Sequence, residues 1–133
     1  MFSDKWCFRA LAVFLLGSVV CFAEVRRFEG PGPVEIHVHA NAKASMSSNL
    51  EEVFKTQFYP AISRQPGFRH CGLLRSPEHK GAYILTIAFD SEDLRVRWAN
   101  SDLHQRLWPK MQANFDDESM KIEAFGIVAA KSK

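Results

Sequence analysis

Charge of one sign, cysteine and long apolar runs are all scarce in this chain. Its 17 basic residues are nearly balanced by 15 acidic ones, and the two signs are interleaved over 133 residues to leave a formal net charge of +2. That balance makes no basic footprint for a phosphate backbone, so nucleic acid is set aside as a partner. The uncharged stretch from Ala10 to Ala23 is shorter than the roughly 20 apolar residues a permanent membrane helix needs, and it carries Gly17 and Ser18 near its middle. Of three cysteines, two (Cys7 and Cys21) fall in or beside that stretch, which leaves Cys71 alone in the remainder. A lone cysteine excludes an internal disulfide, so stability is expected from packing, with Cys71 as a small buried hydrophobe.

What is present begins with an address. Lys5 and Arg9 precede the apolar stretch, and Cys21, Phe22 and Ala23 approximate a small-x-small cleavage pattern. Residues 1–23 are therefore expected to be a signal peptide, with export to the periplasm or the outside and no stable membrane span after cleavage. Residues 24–33, with two arginines, two glycines and two prolines, read as an exposed lead-in. The remainder, 34–130, is one domain's worth of chain at 47% hydrophobic and 24% charged residues overall, the balance of a folded protein with one core.

Within that domain, Val34, Ile36, Val38 and Ala40 alternate with Glu35, His37, His39 and Asn41, the period of two that marks a strand with one apolar face. His37 and His39 share its polar side about 7 Å apart. They could be metal ligands, but a zinc or iron site needs at least a third ligand that spacing alone does not name, so no metal is assigned. Ser48-Asn49-Leu50-Glu51 matches a capping box that would open a helix, and Leu50, Val53, Phe54, Phe58, Ala61 and Ile62 form its apolar stripe. Pro60 predicts a kink near Tyr59, and Pro66-Gly67 an end. Phe68 to Ser76 and Gly81 to Asp90 read as a hairpin, with Tyr83, Leu85, Ile87 and Phe89 on one face.

Asp90 or Ser91 can cap a helix holding Leu94 and Trp98, and Ser101 can cap another holding Leu103, Leu107 and Met111, which Pro109 would end or kink. His104 and Trp108 lie one turn apart beside that second stripe. Met120 to Ala130 reads as a last strand with apolar residues on both sides. Strand, helix, strand, strand, helix, strand is the α+β, ferredoxin-like βαββαβ order, a four-stranded antiparallel sheet covered by helices on one face. The other face, carrying His37 and Phe125, would expose an apolar patch, so a homodimer through the sheet faces is expected.

From about Pro33 to Val128 the chain resembles the antibiotic biosynthesis monooxygenase (ABM) family of dimeric α/β barrels. The resemblance rests on Pro60 with Gln65-Pro66-Gly67-Phe68, the strand Tyr83 to Phe89 leading into Asp90-Ser91-Glu92-Asp93, and Trp98-x-x-Ser101-x-x-His104. It implies a cofactor-independent oxygenation of a small aromatic or quinol-type molecule, in a pocket between helices and sheet that excludes water and stabilises developing charge. His104 is the catalytic candidate for handling protons. Tyr83, Phe89, Trp98 and Trp108 are candidates for the substrate-binding walls, and His39 and Asn41 for orienting the substrate. The haem-degrading members of the fold use a strand Asn, a strand Trp and a helix His as a set. Here Phe89 stands at the strand Trp position and Trp108 near the helix His position, which argues against haem degradation. The alternative is a non-catalytic dimeric module of the same fold that binds a small ligand or is simply filled.

Overall fold

The computed structural model describes residues 27–131, so the expected signal peptide and the start of the lead-in lie outside the described residues. Four strands form one antiparallel sheet: β1 (Val34–Asn41), β2 (Phe68–Arg75), β3 (Ala82–Phe89) and β4 (Lys121–Gly126), in the spatial order β2-β3-β1-β4. β1 pairs with both β3 and β4, with Val38 opposite Leu85 on one side and Ile122 on the other. This is the ferredoxin-like arrangement expected from the element order.

The helices cover one face. The first helical segment runs through α1 (Ser47–Val53), a π-helical turn (Phe54–Phe58) and α2 (Tyr59–Ile62). The expected kink at Pro60 is resolved by the π turn. Proline would drive its ring into the carbonyl four residues back, and widening the helix lets the Tyr59 N–H reach back five residues to the Phe54 carbonyl. The expected capping box does not form. Met46 occupies the cap position without a side-chain hydrogen bond, because a turn with Ser45 at φ 64° brings the chain into the helix before Ser48. Glu51 is drawn elsewhere: its Oε1 accepts from the Tyr83 hydroxyl at 2.8 Å and from Arg75 at 2.9 Å.

The second pair of helices follows the sequence closely. Ser91 caps α3 (Glu92–Ala99) by accepting from the Leu94 N–H, and Ser101 caps α4 (Asp102–Gln112) by accepting from the His104 N–H. Pro109 was expected to end or kink this helix, yet α4 continues through it to Gln112. Gln105, whose carbonyl loses the proline's donor, and Pro109 itself are both exposed, so the lost bond is not buried. The final strand is shorter than expected, stopping at Gly126, where the next N–H, of Ile127, turns to the Pro33 carbonyl. The lead-in is not wholly exposed either. Phe28 packs against the core, its N–H donates to Glu92 Oε1 at 2.8 Å, and Arg27 pairs with Asp93.

Between helices and sheet lies one core, in which Val34, Leu50, Phe58, Ile62, Leu85, Phe89, Met111 and Phe115 are fully buried. Cys71 is buried on the same face, and burial pushes its thiol up to about 12, making it an unreactive packing residue. The opposite sheet face carries His37, His39 and Phe125, with the His37 and Phe125 rings 5.0 Å apart and, among the described residues, no helix over them. No helix among the described residues is long and apolar enough to cross a membrane.

Candidate functional site

The turn between α3 and α4 makes the first grouping. The Ser101 hydroxyl donates to the Trp98 carbonyl at 2.7 Å while accepting from the His104 N–H at 3.2 Å. One cap therefore ends a helix, starts the next and holds the indole and imidazole together: their rings stand 5.2 Å apart, edge to face. Trp108, one turn further along α4, stacks on His104 at 5.9 Å with 8° between the planes. Phe58, delivered by the π turn, touches all three rings at 6.0 to 6.4 Å. Phe58 read as a core residue in the sequence, and nothing there marked it as the hub of this cluster.

Two polar atoms inside the cluster have no hydrogen-bond partner although they are buried, Trp98 Nε1 and His104 Nδ1. Burial is also the main reason the His104 imidazole titrates low. Its pKa falls from 6.5 to about 4, helped by the Arg95 charge and opposed by the backbone at Ala99. At neutral pH His104 is uncharged, an imidazole with both a lone pair and an N–H. Nearby, Glu92 is buried but stays ionised. Burial alone would raise its pKa, and this is outweighed by hydrogen bonds from Arg95 at 2.6 and 2.7 Å and from the Phe28 N–H, which leave it below the ordinary value.

The second grouping is a cleft of about 420 Å³ at the end of the sheet where β1 and β2 finish and β3 begins. His39, Asn41 and Tyr83, all expected at the substrate, line it. Arg75, Ser76, His79 and Ser119 join them, none of which the sequence singled out. Ser76 and His79 belong to the hairpin connection, a feature visible in the sequence as a turn but not as a wall. The structure thus divides the expected site residues: His104, Trp98 and Trp108 form one cluster, and His39, Asn41 and Tyr83 line a cleft that His104 does not touch. Phe89 joins neither, being fully buried with Phe68 as its ring neighbour at 6.3 Å.

On the open sheet face His37 Nε2 meets Glu35 at 2.8 Å and His39 Nε2 lies 3.0 Å from Glu123. Each imidazole is thus turned to a carboxylate, and no group of three or more His, Cys, Asp or Glu side chains fit to hold a metal occurs among the described residues.

No family model and no curated protein sequence matches this chain. Its likeness is to solved structures. A proposed antibiotic biosynthesis monooxygenase from Caulobacter crescentus CB15 aligns with a TM-score of 0.66 at 18% identity, over 74% of this chain and 92% of that one. A counterpart from Nitrosomonas europaea gives 0.65 at 17% identity, over 79% of this chain and all of that one. SnoaB from Streptomyces nogalater, described as a cofactor-independent oxygenase, gives 0.63 at 17%, over 77% and 97%. This chain has the fold of the antibiotic biosynthesis monooxygenases.

Proposed function

We propose that the protein is an oxygenase of small aromatic or quinol-type molecules that works without metal or flavin, with Trp98 and His104 as its reaction centre. One observation carries this reading: two touching, buried side chains each hold a ring nitrogen without a partner. Such atoms cost about 1–3 kcal/mol each to leave unpaired, and two of them in one cluster are what a ligand bound there would satisfy. The likeness to SnoaB supports the same chemistry.

In that chemistry the substrate supplies the electrons. A ring-flanked CH2 group gives a proton to the neutral His104 imidazole and passes electrons to dioxygen, a C–O bond forms, and cleavage of the O–O bond, with His104 returning the proton, releases water and leaves a ketone; a quinol, deprotonated at its hydroxyl, takes the oxygen at the adjacent ring carbon, and loss of water leaves a hydroxyquinone. One oxygen atom ends in the product and one in water. The Trp98 N–H is a donor for the oxygen that becomes negative on the way. His104, neutral at pH 7, hydrogen-bonds the substrate's acidic hydroxyl and holds it in register. Trp108, half-buried and stacked on His104, is the outer wall that must swing for entry.

The test is oxygen uptake with anthrone and with 1,4-naphthohydroquinone, corrected for autoxidation. Turnover that drops at least tenfold in both His104→Ala and Trp98→Phe supports the assignment, and unchanged uptake in either sinks it. The second reading, a non-catalytic ligand-binding module, is favoured by the close packing of Phe58, Trp98, His104 and Trp108, and by the cleft lying elsewhere, at the sheet end.

Two further parts of the proposal concern context. A homodimer through the open sheet face would cover Leu74 and Phe125, which are 53% and 46% exposed. Sedimentation should show a dimer that Phe125→Glu dissociates. Export by residues 1–23 suits scavenging or detoxification of quinones, and mature protein found in the cytoplasm with that segment intact removes this part.

A further inference from the structure

We infer that the open sheet face closes on a second copy of the chain as a proton-dependent interface, in which each protomer takes up a proton at His37. The inference rests on the homodimer proposed above and adds what controls its assembly. Strand register gathers the ionisable groups of this face: β1 and β4 set His37 opposite Glu123, His39 opposite Lys121 and Glu35 opposite Phe125. On the other side of His37, β3 presents Ile84, Thr86 and Ala88, none of which titrates. β2 adds His70, whose Nε2 lies 3.0 Å from the Thr86 hydroxyl.

The fixed charges of this face do not balance. It carries two carboxylates, Glu35 and Glu123, and Lys121 is its one lysine or arginine. Lys121 sits 2.8 Å from Glu123, and its hydrogen bond is the chief reason that Glu123 lies below the ordinary carboxylate value. His39 adds a second contact to Glu123 at 3.0 Å. Glu35 has less: among the described residues it is paired with His37 alone, through Nε2 at 2.8 Å.

Water offsets that excess while the face is open, since the Glu35 and Glu123 side chains are 30% and 35% exposed. A two-fold interface sets the face against itself, which doubles the excess and removes the water. One proton on each His37 turns its contact with Glu35 into an ion pair and brings each copy's face to neutrality. The Phe125 ring, 5.0 Å from the His37 ring, lies within reach of the same charge. Imidazole is the side chain whose charge ordinarily changes between pH 5 and 8, so the control falls in an accessible range. The sign is then fixed. A dimer that holds protons its free copies release assembles more tightly as pH falls and loosens as pH rises.

Sedimentation equilibrium of the protein at several pH values and constant ionic strength measures this. Two protons per dimer predict a dissociation constant about tenfold or more lower at pH 6.0 than at pH 8.5. Glu35→Gln removes the unbalanced carboxylate, so it should dimerise at pH 8.5 as the parent does at pH 6.0 and lose the pH dependence. His37→Gln should stay weak at both values. Both positions are half-buried on an open face, so neither substitution threatens the core. A dimer of equal affinity at both pH values, or one that tightens as pH rises, overturns the inference and leaves the homodimer standing. Full pH dependence retained in His37→Gln overturns the assignment of the proton to His37. A monomer at every pH overturns the homodimer and this inference together.

Discussion

Acidification should unfold this protein in part through His104, and the sign can be worked out from its surroundings. Burial among Phe58, Trp98 and Trp108, with the Arg95 charge nearby, lowers the folded-state pKa to about 4, against 6.5 for an unhindered imidazole. The unfolded chain therefore takes up this proton first. Stability is fully present above pH 6.5 and is lost as pH falls through the window from 6.5 toward 4. At 1.36 kcal/mol per pKa unit the whole window corresponds to about 3 kcal/mol. Part of the ring keeps contact with solvent, so about 1–2 kcal/mol is expected between pH 7 and pH 5. Urea denaturation at both pH values, on the parent and on His104→Gln, measures it, since every other titrating group is common to the two. The parent should lose about 1–2 kcal/mol more than the variant on acidification. Parallel losses, or a larger loss in the variant, refute the reasoning.

Three more outcomes follow from packing and hydrogen bonding. Phe58→Ala empties the hub of the aromatic cluster at a fully buried position and should cost about 3–5 kcal/mol in the same denaturation assay. Gly67→Ala places a Cβ 2.3 Å from Leu94 Cδ1 at a residue with φ +73°, so steric and backbone strain add. The loss should exceed about 1–2 kcal/mol, and a neutral result would mean that Leu94 moves aside freely. Tyr83→Phe removes the hydroxyl that is the chief cause of the lowered Glu51 pKa. A carboxyl titration by NMR should show that value rise, with about 1 kcal/mol or less of stability lost.

The local chemistry of many elements could be read before any tertiary contact was known. β1 is visible as a run of alternating residues because one face is buried and the other is not, and Ser91 and Ser101 announce α3 and α4 because an N-cap needs only a side chain and the backbone three residues on. The same local logic fails where a distant partner competes. Ser48 and Glu51 have the spacing of a capping box, but the Tyr83 hydroxyl and the Arg75 guanidinium recruit Glu51 across the fold, and the turn at Ser45 starts the helix early. Pro60 reads as a break, and only the packed helix shows the break absorbed by a π turn that presents Phe58 to the cluster.

The candidate site divides along the same line. Trp98, Ser101 and His104 are close in sequence, and the Ser101 hydroxyl alone suffices to bring the two rings together, so that cluster was legible. That two ring nitrogens inside it are left unpaired depends on what Phe58 and Trp108 exclude, which no spacing records. The cleft was half legible: His39, Asn41 and Tyr83 were picked for their residue types, yet Arg75 and His79 come from the end of β2 and the hairpin after it, and Ser119 from the turn before β4. The sequence by itself determined the element order, the starts of α3 and α4 and the buried face of the sheet, because each rests on interactions within a few residues. Tertiary structure alone decided that His104 and His39 serve different places, because burial, orphaned polar atoms and cleft walls are properties of residues that meet only after the chain has closed on itself.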